Sequence, residues 1–251
     1  MHANLLPFAL ATLALVPVGD PRLDTLPRDP GPRTEYFILE ITAVPRARPV
    51  GTLCLRRRAV EGGFQLEGEW VFDRLDEGSG DERVLHIEQI SDTGSKLIWR
   101  EWGPSRARSL SVTQEAGVDG LAFVDSARGG TRRATLASRE RACLPLELLE
   151  RTRLGDPPPS ACARFDPLSR SVERVEVKLG SPATGAGGEP APTVRAYEIV
   201  REDGTIAGGF EFLGAELQSL RWQEGELVAR RIDEKEYRER SPSSSVTIRR
   251  P

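Results

Sequence analysis

Glu67 and Glu69 are the pair of side chains in this 251-residue chain whose types and spacing come nearest to acid/base machinery. On an extended strand, residues two apart share a face at about 7 Å, a separation compatible with a two-carboxylate hydrolase. Their surroundings argue for something plainer. In Phe64–Asp73 (FQLEGEWVFD), Gln65, Glu67, Glu69 and Asp73 fall on one face, while Phe64, Leu66, Gly68, Trp70 and Phe72 fall on the other, with Val71 the exception. That two-residue period describes a half-buried antiparallel strand with a solvated outer face. His86 is the one histidine outside the N-terminal leader, so a Ser-His-Asp or Cys-His site would need it. It sits mid-strand in VLHIEQI, where it reads as a satisfied, half-buried strand histidine. No G-x-S-x-G turn, H-E-x-x-H motif, histidine pair or EF-hand loop is present. Gly94-Ser95-Lys96 ends like a P-loop, yet the required glycine is missing five residues earlier and a strand follows. Gly185–Gly188 lacks the strand–helix context of a dinucleotide site. The expectation is a non-enzyme with no catalytic residue, no cofactor and no metal.

The cysteines and arginines admit structural roles. Cys143 and Cys162 bracket a short helical segment and form a candidate disulfide, contributing about 3 kcal/mol in the chain-entropy model. The alternative is three reduced, buried cysteines acting as small hydrophobes, with Cys54 free inside a strand in either case. No C-x-x-C spacing supports zinc or thioredoxin-type chemistry. The runs Arg56-Arg57-Arg58, Arg132-Arg133 and Arg230-Arg231 split between strand faces and suit cross-strand pairing with carboxylates. Net charge is −3 and no aromatics interleave the basic runs, so no nucleic-acid partner is expected.

The elements that would position these residues are short strands and tight turns. Tyr36–Ala43 reads as a strand, Gly51–Ala59 and Phe64–Asp73 as a hairpin, and Arg83–Ile90 and Lys96–Trp102 as a second hairpin. Weaker strands follow at Ser109–Thr113, Leu121–Val124 and Arg132–Leu136. Pro145–Arg153 is the one convincing helix, with proline in its first turn, Leu144, Leu148 and Leu149 on one side, and Gly155 and Pro157 to end it. A strand at Val172–Leu179 and a meander from Val194 to Ile232 complete the pattern. The fold class is mainly β: a large curved antiparallel sheet, half-barrel or open barrel, with one short helix packed on it. A curved sheet of this kind could gather Trp70, Phe72, Trp99, Phe212 and Trp222 into an apolar cleft covered by Leu148 and Leu149.

Leu5–Val18 (LLPFALATLALVPV) is too short for a membrane span and fits a secretory signal, so 1–19 is read as a signal peptide and no transmembrane span is expected. Residues 20–33 form a Pro-rich leader, 34–240 a single β-rich domain with a mobile loop at 180–193, and 241–251 a disordered tail. The arginine bias over three lysines, with abundant Gly, Pro and Ala, indicates a GC-rich bacterial coding sequence. Localisation is then exported, in the periplasm or cell envelope.

An export signal, a long antiparallel meander and one Leu-bearing helix resemble the half-barrel periplasmic proteins that carry lipoproteins or lipids in bacterial envelopes. The stretch RWQEGELVARRIDEKEY also resembles the ends of uncharacterised exported bacterial β-proteins of that shape. The resemblance is architectural and transfers no functional residue. Two readings follow: an envelope structural or interaction module whose core is filled by its own side chains, with an envelope protein as partner, or a carrier or sensor holding an apolar, lipid-like ligand between sheet and helix. A carboxylate hydrolase stands third.

Overall fold

The computed structural model describes residues 31–42, 47–73, 81–104, 107–127, 129–138, 141–153, 161–180, 194–222 and 226–241. Its first half holds strands β1 (Arg33–Ile41), β2 (Arg48–Val60), β3 (Gly63–Phe72), β4 (Glu82–Ser91), β5 (Gly94–Trp102), β6 (Ala107–Glu115), β7 (Leu121–Ala127) and β8 (Gly130–Leu136). Then come β9 (Ala142–Cys143), helix α1 (Pro145–Arg153), β10 (Cys162–Asp166), β11 (Ser171–Gly180), β12 (Val194–Arg201), β13 (Ile206–Leu213), β14 (Glu216–Trp222), β15 (Leu227–Ile232) and helix α2 (Glu234–Arg240). The expected single helix is therefore corrected to two among the described residues. The N-terminal residues read as signal and leader up to residue 30, the loop at 181–193, Gly155, Pro157 and the tail beyond 241 lie outside the described residues.

All fifteen strands join one sheet, and their order explains its shape. The sheet runs from β8 down to β1, then from β15 down to β9. The first and last strands thus pair at its middle, Tyr36 opposite Ile232 and Ile41 opposite Leu227. The two edge strands, β8 and β9, are neighbours in sequence. Laid flat, fourteen spacings of about 4.8 Å would separate those edges by more than roughly 60 Å. The chain from Leu136 to Ala142 can reach only about 22 Å. The sheet must therefore curl until its ends approach, and side chains mark that approach. Gln114 Oε1 on β6 accepts the Ala142 N–H of β9 at 3.2 Å, and Arg170 Nε, in the β10–β11 turn, lies 3.0 Å from Asp125 Oδ2 of β7. Every ladder is antiparallel except the short β9–β10 pair. The expected curved, open antiparallel sheet is what the molecule has.

Alternation places the core on the concave side. Phe37 and Leu39, Leu53 and Leu55, Phe64, Leu66 and Trp70, then Leu97, Leu110 and Val112 are buried there in one apolar cluster with α1. Glu67 and Glu69 point outward, where Arg56 Nη1 bonds Glu67 at 2.7 Å and approaches Glu69 at 3.4 Å. Arg230 meets Glu40 across β1 and β15 at 2.8 Å. These are the expected cross-strand pairings, worth little individually at such exposure. Arg57 departs from the pattern: it is buried, with its guanidinium 4.7 Å from the Phe64 ring centre. No helix among the described residues is long and apolar enough to cross a membrane.

Candidate ligand cavity

Helix α1 runs inside the curl of the sheet, and every residue after Pro145 is buried. Pro145 takes the first helical position, where a missing N–H costs nothing. The next two amides need acceptors, and these come from far away in sequence. Glu88 Oε1 accepts from Leu146 N at 2.8 Å and Oε2 from Glu147 N at 2.7 Å. A carboxylate here also meets the positive end of the helix dipole. Glu147 bonds Arg151 at 2.7 Å and Arg141 at 2.8 Å. At the other end Arg153 makes a two-pronged bond to Glu35, at 2.9 and 2.7 Å, and Glu150 pairs with Arg33. Buried charges of this kind are tolerable only when matched. The arrangement fixes α1 across the sheet's interior at a defined height.

Beside α1 a cavity of about 370 Å³ remains open. Its lining includes Trp70, Trp99, Trp102 and Trp222, which are all four tryptophans of the chain. Trp70 stands at the centre of the aromatic group, with ring centres 6.0 Å from Trp99, 6.5 Å from Trp222 and 5.7 Å from His86. Gly68 makes room for it: a Cβ at that position would come 2.5 Å from the Trp70 indole. Pro145, Leu146, Leu148 and Leu149 of α1 supply the helical wall.

Of the seven residues expected in an apolar cleft, Trp70, Phe72, Trp99, Leu148, Leu149 and Trp222 line this cavity. Phe212 does not, and that expectation is corrected. It is fully buried beneath the Arg153 guanidinium, 5.7 Å away, and beside Tyr197 at 6.1 Å. Phe210, two residues earlier on β13, takes its place in the lining. Cys143 and Cys162 are free thiols here and not a disulfide. Both are fully buried, and a hydrogen bond to Cys162, together with burial, holds the Cys143 thiol well above its usual range. The alternative of three reduced, buried cysteines matches this arrangement.

His86 was expected to be half-buried, but it is 1 % exposed and forms part of the cavity wall. Its Nε2 lies 2.7 Å from Glu88 Oε1, a close polar contact without good hydrogen-bond alignment. The imidazole therefore connects the cavity to the carboxylate that anchors α1. The i, i+2 spacing of His86 and Glu88 places both on one strand face, the signal that could have revealed this pairing. Among the described residues no cluster of His, Cys, Asp and Glu could hold a metal ion.

No protein-family model and no curated protein matches this sequence. The fold has a structural counterpart in the crystal structure of a β-barrel-like protein of Domain of Unknown Function DUF1849 from Brucella abortus. The two superpose with a TM-score of 0.55 at 9% identity, covering 81% of this chain and 96% of the other. This likeness concerns the fold: an open, barrel-like, mainly β architecture.

Proposed function

We propose that this protein is a non-catalytic carrier or sensor of the bacterial envelope that holds an apolar, lipid-like ligand between its sheet and α1. One observation carries the reading: the space beside α1 is a cavity of about 370 Å³ walled by four indoles and six leucines, three of them on α1, not a filled core. Pockets that bury small molecules fall in this size range and have mostly apolar and aromatic walls. The pattern of a long antiparallel meander with a Leu-bearing helix, which in the sequence resembles half-barrel lipid and lipoprotein carriers, is in keeping with this reading. Export rests on the apolar run Leu5–Val18, and N-terminal sequencing of the mature protein tests it.

Native mass spectrometry of freshly purified protein, followed by organic extraction, is expected to find a co-purifying amphiphile. Trp70→Ala is expected to abolish uptake. If the extracted protein is ligand-free and takes up no added long-chain lipid, the carrier reading fails. In that case Trp70→Ala should only lower stability, by about 3–5 kcal/mol. The interaction-module reading keeps one support of its own. Edge strand β8 has an unpaired outer side among the described residues, which a partner strand could extend.

A further inference from the structure

The cavity and α1 divide the inside of the sheet between them. At one rim β3, β5 and β14 end while β4 and β15 begin, with Phe72 opposite Glu82, Arg83 opposite Trp102 and Trp222 opposite Leu227. All of these residues line the cavity, so its mouth opens at this rim. Helix α1 occupies the other end. Its last residue, Arg153, bonds Glu35 near the start of β1 and the Ala215 carbonyl in the β13–β14 turn, both at the far rim. Its Leu146 and Glu147 amides hang from Glu88. At the level of Glu88 the interior is already packed, since Leu66 and Leu97 flank it in register and both are buried. The deepest lining residue of β4 is therefore His86, the neighbour of Glu88 on the same strand face, and Leu146, Leu148 and Leu149 of α1 close the floor.

Depth and volume together set the size of what fits. From Glu82 at the mouth to His86 at the floor is four strand steps, about 14 Å. At about 30 Å³ per heavy atom, the share one water molecule takes in its liquid, 370 Å³ is filled by roughly a dozen heavy atoms. A saturated chain of that many carbons, fully extended, spans the same depth, whereas two chains side by side would need twice the bore. The charged lining residues are of both signs, Arg83, Arg164, Arg201 and Arg221 beside Glu82, Glu101 and Asp166, and they lie near the mouth. Deeper in, the lining is apolar except for His86. We propose that the cavity takes a single alkyl or acyl chain of about twelve carbons, methyl end first toward α1, and excludes lipids with two chains. The proposal rests on the cavity reading above and names the chain class that reading leaves open. Leu148, fully buried and part of the lining, sets the length limit.

The test is titration of tryptophan fluorescence with octanoate, decanoate, dodecanoate, tetradecanoate and hexadecanoate, each below its micellar concentration. Affinity is expected to rise about fourfold with each added methylene as far as dodecanoate and then to level off, because only a buried methylene contributes. Leu148→Ala shortens a side chain of the floor and should move the plateau to tetradecanoate. Ala207→Leu enlarges a side chain of the lining and should move it back to decanoate. Loss of the fold would weaken every alkanoate alike, so a displaced plateau is a result that misfolding cannot give, and one variant suffices to show it. Dioctanoylphosphatidylcholine, with two chains, should bind at least about tenfold more weakly than dodecylphosphocholine, which has one. Affinity that climbs without a break to hexadecanoate overturns the proposal, as does a plateau that stays put in both folded variants. Equal binding of the one-chain and two-chain phosphocholines also overturns it. If no alkanoate and no phosphocholine binds the wild-type protein, the cavity reading itself falls.

Discussion

Cys54 shows how a single buried side chain sets the chemistry of its position. It is fully buried on β2, and burial pushes its thiol up to about 12, a rise that Glu69 and Glu67 add to and Arg56 opposes. An unfolded thiol ionises near 9.0. The folded state holds the proton more tightly, so this contribution to stability is intact below pH 9 and is lost as pH climbs toward 12. Urea unfolding followed from pH 8 to 11 should show a steeper alkaline loss for the wild type than for Cys54→Ala. Identical pH profiles for the two proteins would refute the assignment. Alternation in Phe64–Phe72 is enough to tell Trp70 and Phe72 from Glu67 and Glu69, because pleating alone decides a face. Depth along a strand is another matter. Phe210 and Phe212 lie two apart on β13, yet the ladder shifts register between Glu211 and Phe212, Phe212 lies under Arg153, and Phe210 alone of the two lines the cavity.

At the scale of the element, α1 is the member whose role its own residues conceal. Its leucines are visible in PLELLERTR, but Glu147, Glu150, Arg151 and Arg153 look like a solvated face. They are buried because Glu35, Arg33 and Arg141 arrive from outside the helix to match them. No local period records such partners. Helix α2 is illegible for the opposite reason: it is polar all round, has no buried residue, and is announced chiefly by Asp233 accepting the Glu236 N–H at 2.8 Å. Glu88 gives the decisive test for α1. Glu88→Ala leaves the buried Leu146 and Glu147 amides without their acceptor and should cost about 2–4 kcal/mol in urea unfolding. Glu88→Gln, which keeps an oxygen for one amide, should cost less. A loss below about 1 kcal/mol for the alanine variant would mean that α1 is held by its leucines alone.

For the whole molecule, the sequence pattern foretells a curved sheet but not its strand order. Hairpin signals report which strands are neighbours in the chain, and they account for the meanders on either side. They say nothing about the pairing of β1 with β15, which brings Phe37 and Leu39 beside Arg231 and Ala229. That seam joins the two meanders, since among the described residues β1 and β15 are the pair of strands that links them at the sheet's centre. A chain ending at residue 226 should therefore lose cooperative unfolding and bind an exposed-apolar-surface dye, because it strips a side from both β1 and β14. Retention of a single sharp transition would show that α1, not the seam, unites the halves.

The same seam dictates an order of events during biosynthesis. The ribosome releases β1 early, and its greasy flank must then wait while nearly two hundred further residues emerge before β15. The keystone of this arch is the piece delivered last. Until it arrives, the growing polypeptide offers a sticky margin to whatever lies nearby.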